Sequence, residues 1–298
     1  MKRNRYYSIG ANINAMSYTG ELDPGPSFIG SSLRFTRPNI GISYTYRHGS
    51  RFSFRGNISY GRITGSDAYA NPERDLERRL RNLNFRNDIF EIKTDVVFDL
   101  IATRGHYRER PNLIPYVFAG LAYFHHNPQG TDPRTGDWVD LRPLSTEGQG
   151  VPGVDQAPYS LHQIAIPLGI GVRYKLSENW DLGFEIGWRF TFTNYLDDVS
   201  GVYADRDLIE QHRGELAATM ADRSIYSLAE DPQLQRQIME QQGGLVFQET
   251  QTGNVYGSVN GYGMPGDQRG NGRRDMYIVT GFHLTYIIPN RIICPNFR

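Results

Sequence analysis

Residues 181–193 read DLGFEIGWRFTFT, and every second residue in this stretch is apolar. Leu182 and Phe184 belong to one parity, while Asp181 and Glu185 belong to the other. Because successive side chains of a β-strand point to opposite faces, the stretch is predicted to be a strand that separates an apolar surrounding from a polar one.

The same alternation returns along the whole chain. The windows that carry it are 6–16, 37–46, 52–63, 86–100, 113–126, 161–174, 181–193 and 275–288. Window 113–126 is the least distinct, because Tyr116 and Phe118 on one parity and Val117 and Leu121 on the other are all apolar. The pattern predicts an all-β protein, an eight-stranded antiparallel up-and-down barrel.

An eight-stranded barrel can be a soluble cup with an apolar interior or a membrane barrel with an apolar exterior. The polar parity favours the second, because it holds charges of both signs and many glycines, as a crowded lumen would. The glycines are Gly10, Gly41, Gly169, Gly171, Gly183, Gly187 and Gly281. We expect exchange of these glycines for serine to be milder than placing arginine on the apolar parity.

The connections between the windows alternate strictly in length. Those at 47–51, 101–112 and 175–180 are short, and those at 17–36, 64–85, 127–160 and 194–274 are long. Short periplasmic turns and long external loops are typical of outer-membrane barrels. We therefore predict one transmembrane barrel domain over 1–298, with a long loop insertion at 194–274, located in the outer membrane and surrounded by its lipid.

Composition is compatible with this architecture. A mean hydropathy of -0.53 excludes a helical membrane protein, whereas a barrel hides its apolar face in every second residue. The formal charge of zero gives no basic surplus for binding nucleic acid. The single cysteine, Cys294, has no partner for a disulfide, and no cofactor is predicted.

Met1 to Arg5 lead directly into the first window without an apolar leader segment, so we expect the numbering to start at the mature chain or at a misassigned start.

Charged residues on the polar parity form a predicted lumen charge network. Its members are Arg55, Glu91, Lys93, Asp95, Arg173, Asp181, Glu185 and Arg189. We expect Arg55, Arg173 and Arg189 to pair with Glu91, Asp95 and Glu185 across the lumen, because buried charges need partners. A structural plug is the first interpretation, since eight strands leave room only for side chains. A proton or ion path is the alternative.

The net charge conceals an asymmetry between the two ends of the barrel. The termini and short turns sum to +9 and the long loops to -9. The predicted short-turn rim consists of Arg47, Arg51, Arg104, Arg108 and Arg110. Such a rim would attract inner-leaflet phosphates or an acidic periplasmic partner, and the sequence does not choose between them.

Two further clusters suggest other chemistry. Asp197, Asp198, Asp205 and Asp207 could bind calcium through oxygen ligands, although their spacing is not that of an EF-hand and aspartate also caps helices. His125 and His126, near Asp132 and Asp137, invite an enzyme hypothesis. Adjacent strand residues point to opposite sides, however, and no GxSxG motif is present, so the sequence predicts no enzyme and no small-molecule substrate.

Several segments resemble the PorG-like outer-membrane barrels associated with the type IX secretion system. They are YGRITGSD at 60–67, RNLNFRN at 81–87, LSTEGQG at 144–150, FEIGWR at 184–189, TNYLDDVS at 193–200, LAA at 216–218, ADRS at 221–224 and CPNF at 294–297. The insert at 225–265 is longer than expected for the secretion component, so a paralogue is an alternative.

The resemblance implies a non-enzymatic structural role in protein transport. It implies a barrel that anchors, or communicates with, the periplasmic ring of the secretion machine, without identifying the contact residues. A surface adhesin or receptor that uses the acidic external loops is the alternative function.

Overall fold

The computed structural model describes residues 5–23, 35–70, 75–229, 235–236 and 244–289, and all eight predicted strands are present in it. The barrel strands are β1 (Arg5–Thr19), β2 (Arg37–His48), β3 (Phe52–Ser66), β4 (Asn84–Asp99), β5 (Leu113–Thr131), β7 (His162–Lys175), β8 (Trp180–Thr191) and β11 (Met276–Ile288). The short strand β6 (Trp138–Asp140) extends the sheet beside the end of β5. The predicted fold is confirmed.

The eight strands close into one antiparallel sheet. Each strand pairs with the next barrel strand along the chain, and β11 pairs back with β1, so that Ile9 lies opposite both Tyr44 and Tyr286. Closure leaves the barrel without an exposed edge. A sheet in a bilayer needs this, because unpaired backbone groups find no hydrogen-bond partner in lipid.

The alternation sorts side chains as a membrane barrel requires. Apolar residues of one parity point outward and are exposed, with Ile13 at 71% and Ile42 at 64%, whereas Arg55 and Glu91 on the other parity are buried. Strand β5 follows the same rule despite its ambiguous sequence. Val117 and Leu121 point outward, and its other parity buries aromatic rings in the lumen.

Exposed aromatic side chains gather towards both ends of the outward face. Near the short turns they are Tyr7, Tyr44, Phe52, Phe54 and Trp180, and near the long loops they are Tyr60, Phe90, Tyr123, Phe190 and Phe192. Aliphatic residues such as Ile58 and Leu168 lie between them. Two aromatic girdles around an aliphatic band mark the two interfaces of an outer membrane.

The described parts of the four long connections form an external cap on one side of the barrel. The cap contains α1 (Leu76–Arg81) between β3 and β4. Between β8 and β11 it contains α2 (Arg206–Arg213), α3 (Glu215–Ala221), α4 (Ser224–Ala229) and a hairpin of β9 (Leu245–Glu249) with β10 (Val255–Val259). The insertion at 194–274 is therefore in large part folded. Among the described residues, no helix is long and apolar enough to cross a bilayer.

Some of the lumen glycines have no room for a larger side chain, and the milder effect of serine there than of arginine on the apolar parity stays a prediction. A Cβ atom on Gly169 would lie 2.3 Å from Phe118 Cζ, and one on Gly281 would lie 2.4 Å from Asn14 Cα. The lumen is filled to the backbone at these positions, so glycine is required by packing.

We expect Gly281→Ala to destabilise the barrel by about 1–3 kcal/mol, the usual cost of overpacking, because the obstructing atoms belong to the neighbouring backbone. Gly56→Ala is the matched control, since Gly56 also lies within a barrel strand but a Cβ there meets nothing within 4 Å. Urea-dependent refolding into lipid vesicles measures both variants. Equal stability of the two would show that the lumen relaxes around the added methyl group.

Candidate functional site

Arg55 is the centre of the lumen charge network. Its guanidinium donates to Asp95 Oδ2 at 2.9 Å and also pairs with Glu185, and Lys93 pairs with the same Asp95. The Arg55 guanidinium carbon and Lys93 Nζ each lie 5.1 Å from the centroid of the Phe118 ring. Side chains on the polar parity of β3, β4, β5 and β8 thus meet in one group, in which positive and negative charges are paired.

The other lumen charges form separate ion pairs. Arg189 Nε donates to Glu91 at 3.0 Å, as the sequence suggested. Arg173, expected to pair with Glu91, Asp95 or Glu185, instead contacts Asp99 at 3.2 Å. It lies near the short-turn end of β7, too far along the barrel axis to reach the central carboxylates. Asp181 pairs with Arg110 of the rim, whose Nη2 lies 2.8 Å from Asp181 Oδ1, rather than with another member of the network.

The lumen is closed towards the exterior. A cluster of buried apolar side chains fills the barrel mouth below the cap, and its members include Tyr18, Ile63, Phe85, Ile89, Phe124 and Leu196. Beneath this seal, the polar interior retains a cavity of only about 40 Å³ beside Arg55 and Glu185. The arrangement is that of a plug and supports the structural interpretation of the lumen charges over a conducting path.

Two members of the predicted short-turn rim are not on the surface. Arg47 and Arg110 are 1% and 3% exposed. Arg47 pairs with Asp99, and Arg110 binds Asp181 and the carbonyl oxygens of Tyr107, Glu178, Ser177 and Trp180. They close the lower end of the lumen, because the turn after β4 folds back under the barrel and buries Tyr107 against Tyr6.

The exposed part of the rim is smaller than the sequence suggested. Arg51, Arg104 and Arg108 are exposed, and Arg108 makes a solvent-exposed pair with Glu178 at 3.2 Å. Lys175 lies beside them and donates to the carbonyl oxygen of Arg108. The surface remains basic, but the sequence could not reveal which arginines face water, since the fold of the turns decides it.

The segments that carry the family resemblance meet in the external cap. Asp67, from YGRITGSD, accepts two hydrogen bonds from Arg81 at 2.8 and 2.9 Å and one from the Leu83 amide at 3.0 Å. Glu147, from LSTEGQG, accepts from the backbone amides of Ser200 and Gly201. Glu147 therefore links the loop between β5 and β7 to the loop between β8 and β11, while Asp67 holds α1 within the loop between β3 and β4.

Arg269 is the residue of this cap that sequence reasoning missed. Its Nη1 donates to Glu147 Oε1 at 3.0 Å and to the carbonyl oxygen of Asp198 at 2.7 Å. Asp198 also accepts from Thr146 and, at 2.6 Å, from the Tyr159 hydroxyl. Arg269 lies in the long insertion without a recognisable motif, so no local signal indicated its role.

Asp197 and Asp275 share one hydroxyl group. Tyr18 Oη lies 2.7 Å from Asp197 Oδ2 and 2.9 Å from Asp275 Oδ1, while it accepts from the Glu21 amide. A phenol has a single proton to donate, so a second proton on one of the two carboxyl groups completes the arrangement. Burial raises the pKa of Asp197 to about 7, and burial together with the charge of Asp197 raises the pKa of Asp275 well above its usual range.

We expect the cap to be more stable at pH 5–6 than at pH 8–9. A carboxyl group whose pKa is raised in the folded state stabilises the fold below its unfolded pKa of about 4, and this contribution is lost as pH rises through about 7. Hydrogen exchange of residues 192–275 against pH measures the effect. Asp275→Asn should flatten this dependence and the exposed control Asp137→Asn should not; an unchanged profile in Asp275→Asn would refute the shared proton.

The proposed calcium ligands do not converge. Asp197 and Asp198 accept hydrogen bonds within the cap, Asp205 caps α2 by accepting from the Asp207 amide, and Asp207 accepts from Gln211. Within the described ranges, no group of three or more His, Cys, Asp or Glu side chains could hold a metal ion.

The histidines of the enzyme hypothesis also lie apart. His126 is buried between Asn87 and the Ser160 carbonyl, whereas His125 points outward and packs against His162 with the two rings tilted. Asp132 pairs with Arg134. The structure therefore does not bring the predicted histidines and aspartates into one site.

A closed antiparallel barrel with an apolar outward belt, two aromatic girdles and a filled lumen is an outer-membrane β-barrel protein. Residues 2–135 and 151–218 match the family model described as a domain of unknown function, DUF6089, and the chain belongs to this family.

Solved outer-membrane proteins are similar in fold at low sequence identity. Neisserial surface protein A is 11% identical, with 94% of this chain and 96% of that chain covered and a TM-score of 0.38. Ail of Yersinia pestis is 6% identical, with coverage of 96% and 99% and a TM-score of 0.39. OprG of Pseudomonas aeruginosa is 8% identical, with coverage of 95% and 97% and a TM-score of 0.39. No curated protein matches the chain.

Proposed function

We propose that this barrel is a non-enzymatic component of, or accessory to, the type IX secretion system, and that its short-turn side contacts the periplasmic ring. The observation that carries the proposal is the filled and sealed lumen. A barrel with such a lumen does not conduct a substrate, so we infer that it acts through its two end surfaces. The resemblance to PorG-like barrels, carried by segments such as YGRITGSD and TNYLDDVS, supplies the identity of the partner.

Three exposed arginines of the short-turn rim are the candidate contact residues. Arg51, Arg104 and Arg108 lie on the side opposite the external cap and favour an acidic partner. Charges of this kind act mainly on the association rate and are screened over about 8–10 Å at physiological ionic strength. A ring held by this surface is therefore released by salt more readily than one held by apolar contacts.

Reversing Arg51, Arg104 and Arg108 to glutamate should reduce co-isolation of ring proteins from detergent-solubilised membranes, and raised salt should do the same to the unmodified protein. The matched control reverses Arg213, Arg273 and Arg274, which are exposed in the external cap. Retention of the ring by the rim variant, or its release by the control, would contradict the assignment of sides.

Deleting 225–265 would be a poor control for this experiment, because the segment is bonded to the rest of the cap. Arg206 donates to the carbonyl oxygen of Gly257 and to Ser258, and Ser258 donates to Asp222. The deletion would leave Arg206 and Asp222 buried with fewer partners, so charge reversal is the cleaner manipulation.

A surface receptor is the second candidate function, and the extent of the ordered external cap favours it. Such a protein would bind its ligand through the long loops and would co-isolate no periplasmic ring. The same co-isolation experiment, read for surface ligands and for ring proteins, separates the two functions.

A further inference from the structure

Two histidines face each other on the outward surface of the barrel, at its external end. His125 of β5 lies directly opposite His162 of β7 in the antiparallel register. The neighbouring pair carries the backbone hydrogen bond, because the His126 amide donates to the carbonyl oxygen of Leu161 at 2.9 Å. His125 and His162 therefore form a non-hydrogen-bonded pair, in which side chains approach each other more closely than in a hydrogen-bonded pair.

The separation of the two imidazole rings fits a shared metal ion. Their centroids lie 4.9 Å apart, and the ring planes are tilted by 56°. A metal ion bound to a ring nitrogen at about 2.0–2.1 Å lies about 3.2 Å from the ring centroid, since the nitrogen is about 1.2 Å from that centroid. Two centroids 4.9 Å apart then subtend about 100° at the ion, close to the angle of about 109° in a tetrahedral site. Both rings can bind one ion without a shift of either ring centre.

Each ring has a nitrogen available to a ligand from solvent. The ring of His125 is half-buried and makes no hydrogen bond to any described residue. His162 is exposed, and its Nδ1 lies 2.7 Å from the Tyr123 hydroxyl oxygen. When Nδ1 carries the proton and donates it to this oxygen, Nε2 is left with a free lone pair. Metal-binding histidines are usually oriented in this way, by a hydrogen bond from the second ring nitrogen.

The two imidazoles select the class of ion. Zn²⁺, Cu²⁺ and Ni²⁺ bind ring nitrogens, whereas Mg²⁺ and Ca²⁺ take oxygen ligands. Within the described ranges, no third His, Cys, Asp or Glu side chain joins the pair, so water fills the other coordination positions. An open site of this kind holds its ion less tightly than a closed structural site and leaves it exchangeable.

We propose that His125 and His162 form a binding site for one divalent transition-metal ion of the zinc, copper and nickel class, on the external side of the outer membrane. The connection between β5 and β7 is one of the long loops, so the pair is accessible from outside the cell. A bound ion joins the two strands at their external ends and stabilises them there, because it binds the folded barrel and not the unfolded chain. The inference does not depend on a periplasmic partner.

The test uses the full chain without an affinity tag, in detergent, after a chelator has removed bound metal. Isothermal titration calorimetry with Zn²⁺, Cu²⁺ and Ni²⁺ measures affinity and stoichiometry, and the visible absorption of bound Cu²⁺ identifies nitrogen ligands. We expect one equivalent of ion with a submillimolar dissociation constant. His125→Asn and His162→Asn should each raise that constant at least tenfold, because each variant removes one of the two protein ligands.

His212→Asn is the matched control, because His212 is an exposed histidine of α2 outside the pair. Heat-dependent gel mobility reports whether each barrel has folded. The imidazole NMR signals of the unmodified protein give a measurement that needs no variant, since Zn²⁺ should shift the signals of two histidines. Absence of binding and of this shift, an unchanged dissociation constant in a folded variant of the pair, or equally tight binding of Mg²⁺ would overturn the proposal.

Discussion

Arg55→Met is expected to destabilise the barrel by about 3–5 kcal/mol, the usual cost of removing one partner from a buried ion pair. Arg55 is 8% exposed and holds both Asp95 and Glu185, so its loss leaves two buried carboxylates short of positive charge. The free energy of unfolding in urea, measured on protein refolded into lipid vesicles, gives the effect.

Arg62→Met is the matched control for this prediction. Arg62 lies on the same strand and pairs with Asp88, but both side chains are more than a third exposed, at 39% and 38%. Exposed pairs of this kind contribute about 0–1 kcal/mol. Adding Glu185→Gln to Arg55→Met should recover part of the loss, because one of the uncompensated charges is removed. Similar costs for Arg55→Met and Arg62→Met would contradict a dry, charge-paired lumen.

Leu168→Arg is expected to cost about 2–4 kcal/mol, the penalty for arginine on the lipid face near the bilayer midplane. Leu168 is 42% exposed on the outward face of β7, midway between His162 and Lys175 at the two ends of the strand. Vesicle refolding measures this variant as well, and a bilayer with longer acyl chains should not remove the penalty.

Val255→Arg provides the comparison outside the membrane. Val255 is also an exposed apolar strand residue, at 61%, but it belongs to the external β9–β10 hairpin and faces water. We expect little loss of stability there. If arginine were tolerated equally at both positions, the outward face of the barrel would not be in contact with lipid.

The lumen and the cap explain why the family motifs say little about contact surfaces. Asp67, Glu147 and Asp198 are buried and hold the loops of the cap in place, so these motifs reflect the construction of the cap. The exposed arginines proposed to contact a partner, Arg51 among them, lie outside these bonds.

The sequence by itself determined the barrel, its eight strands and its inward and outward faces. Alternation is a local property, because successive side chains of a strand point to opposite faces. The outward direction of Leu182 and Phe184 and the inward direction of Asp181 therefore follow from their own stretch of sequence. Even the ambiguous β5 was located correctly, although both of its parities carry apolar residues.

Only the tertiary structure decided which charges meet. Glu147 and Arg269 are separated by 122 residues, and Arg55 and Glu185 by 130, distances along the chain at which no local pattern carries information about pairing. Arg47 and Arg51 look alike in the sequence, yet one closes the lumen and the other faces water. The physical reason is that burial depends on how the turns fold back under the barrel, which is a property of packing between distant segments.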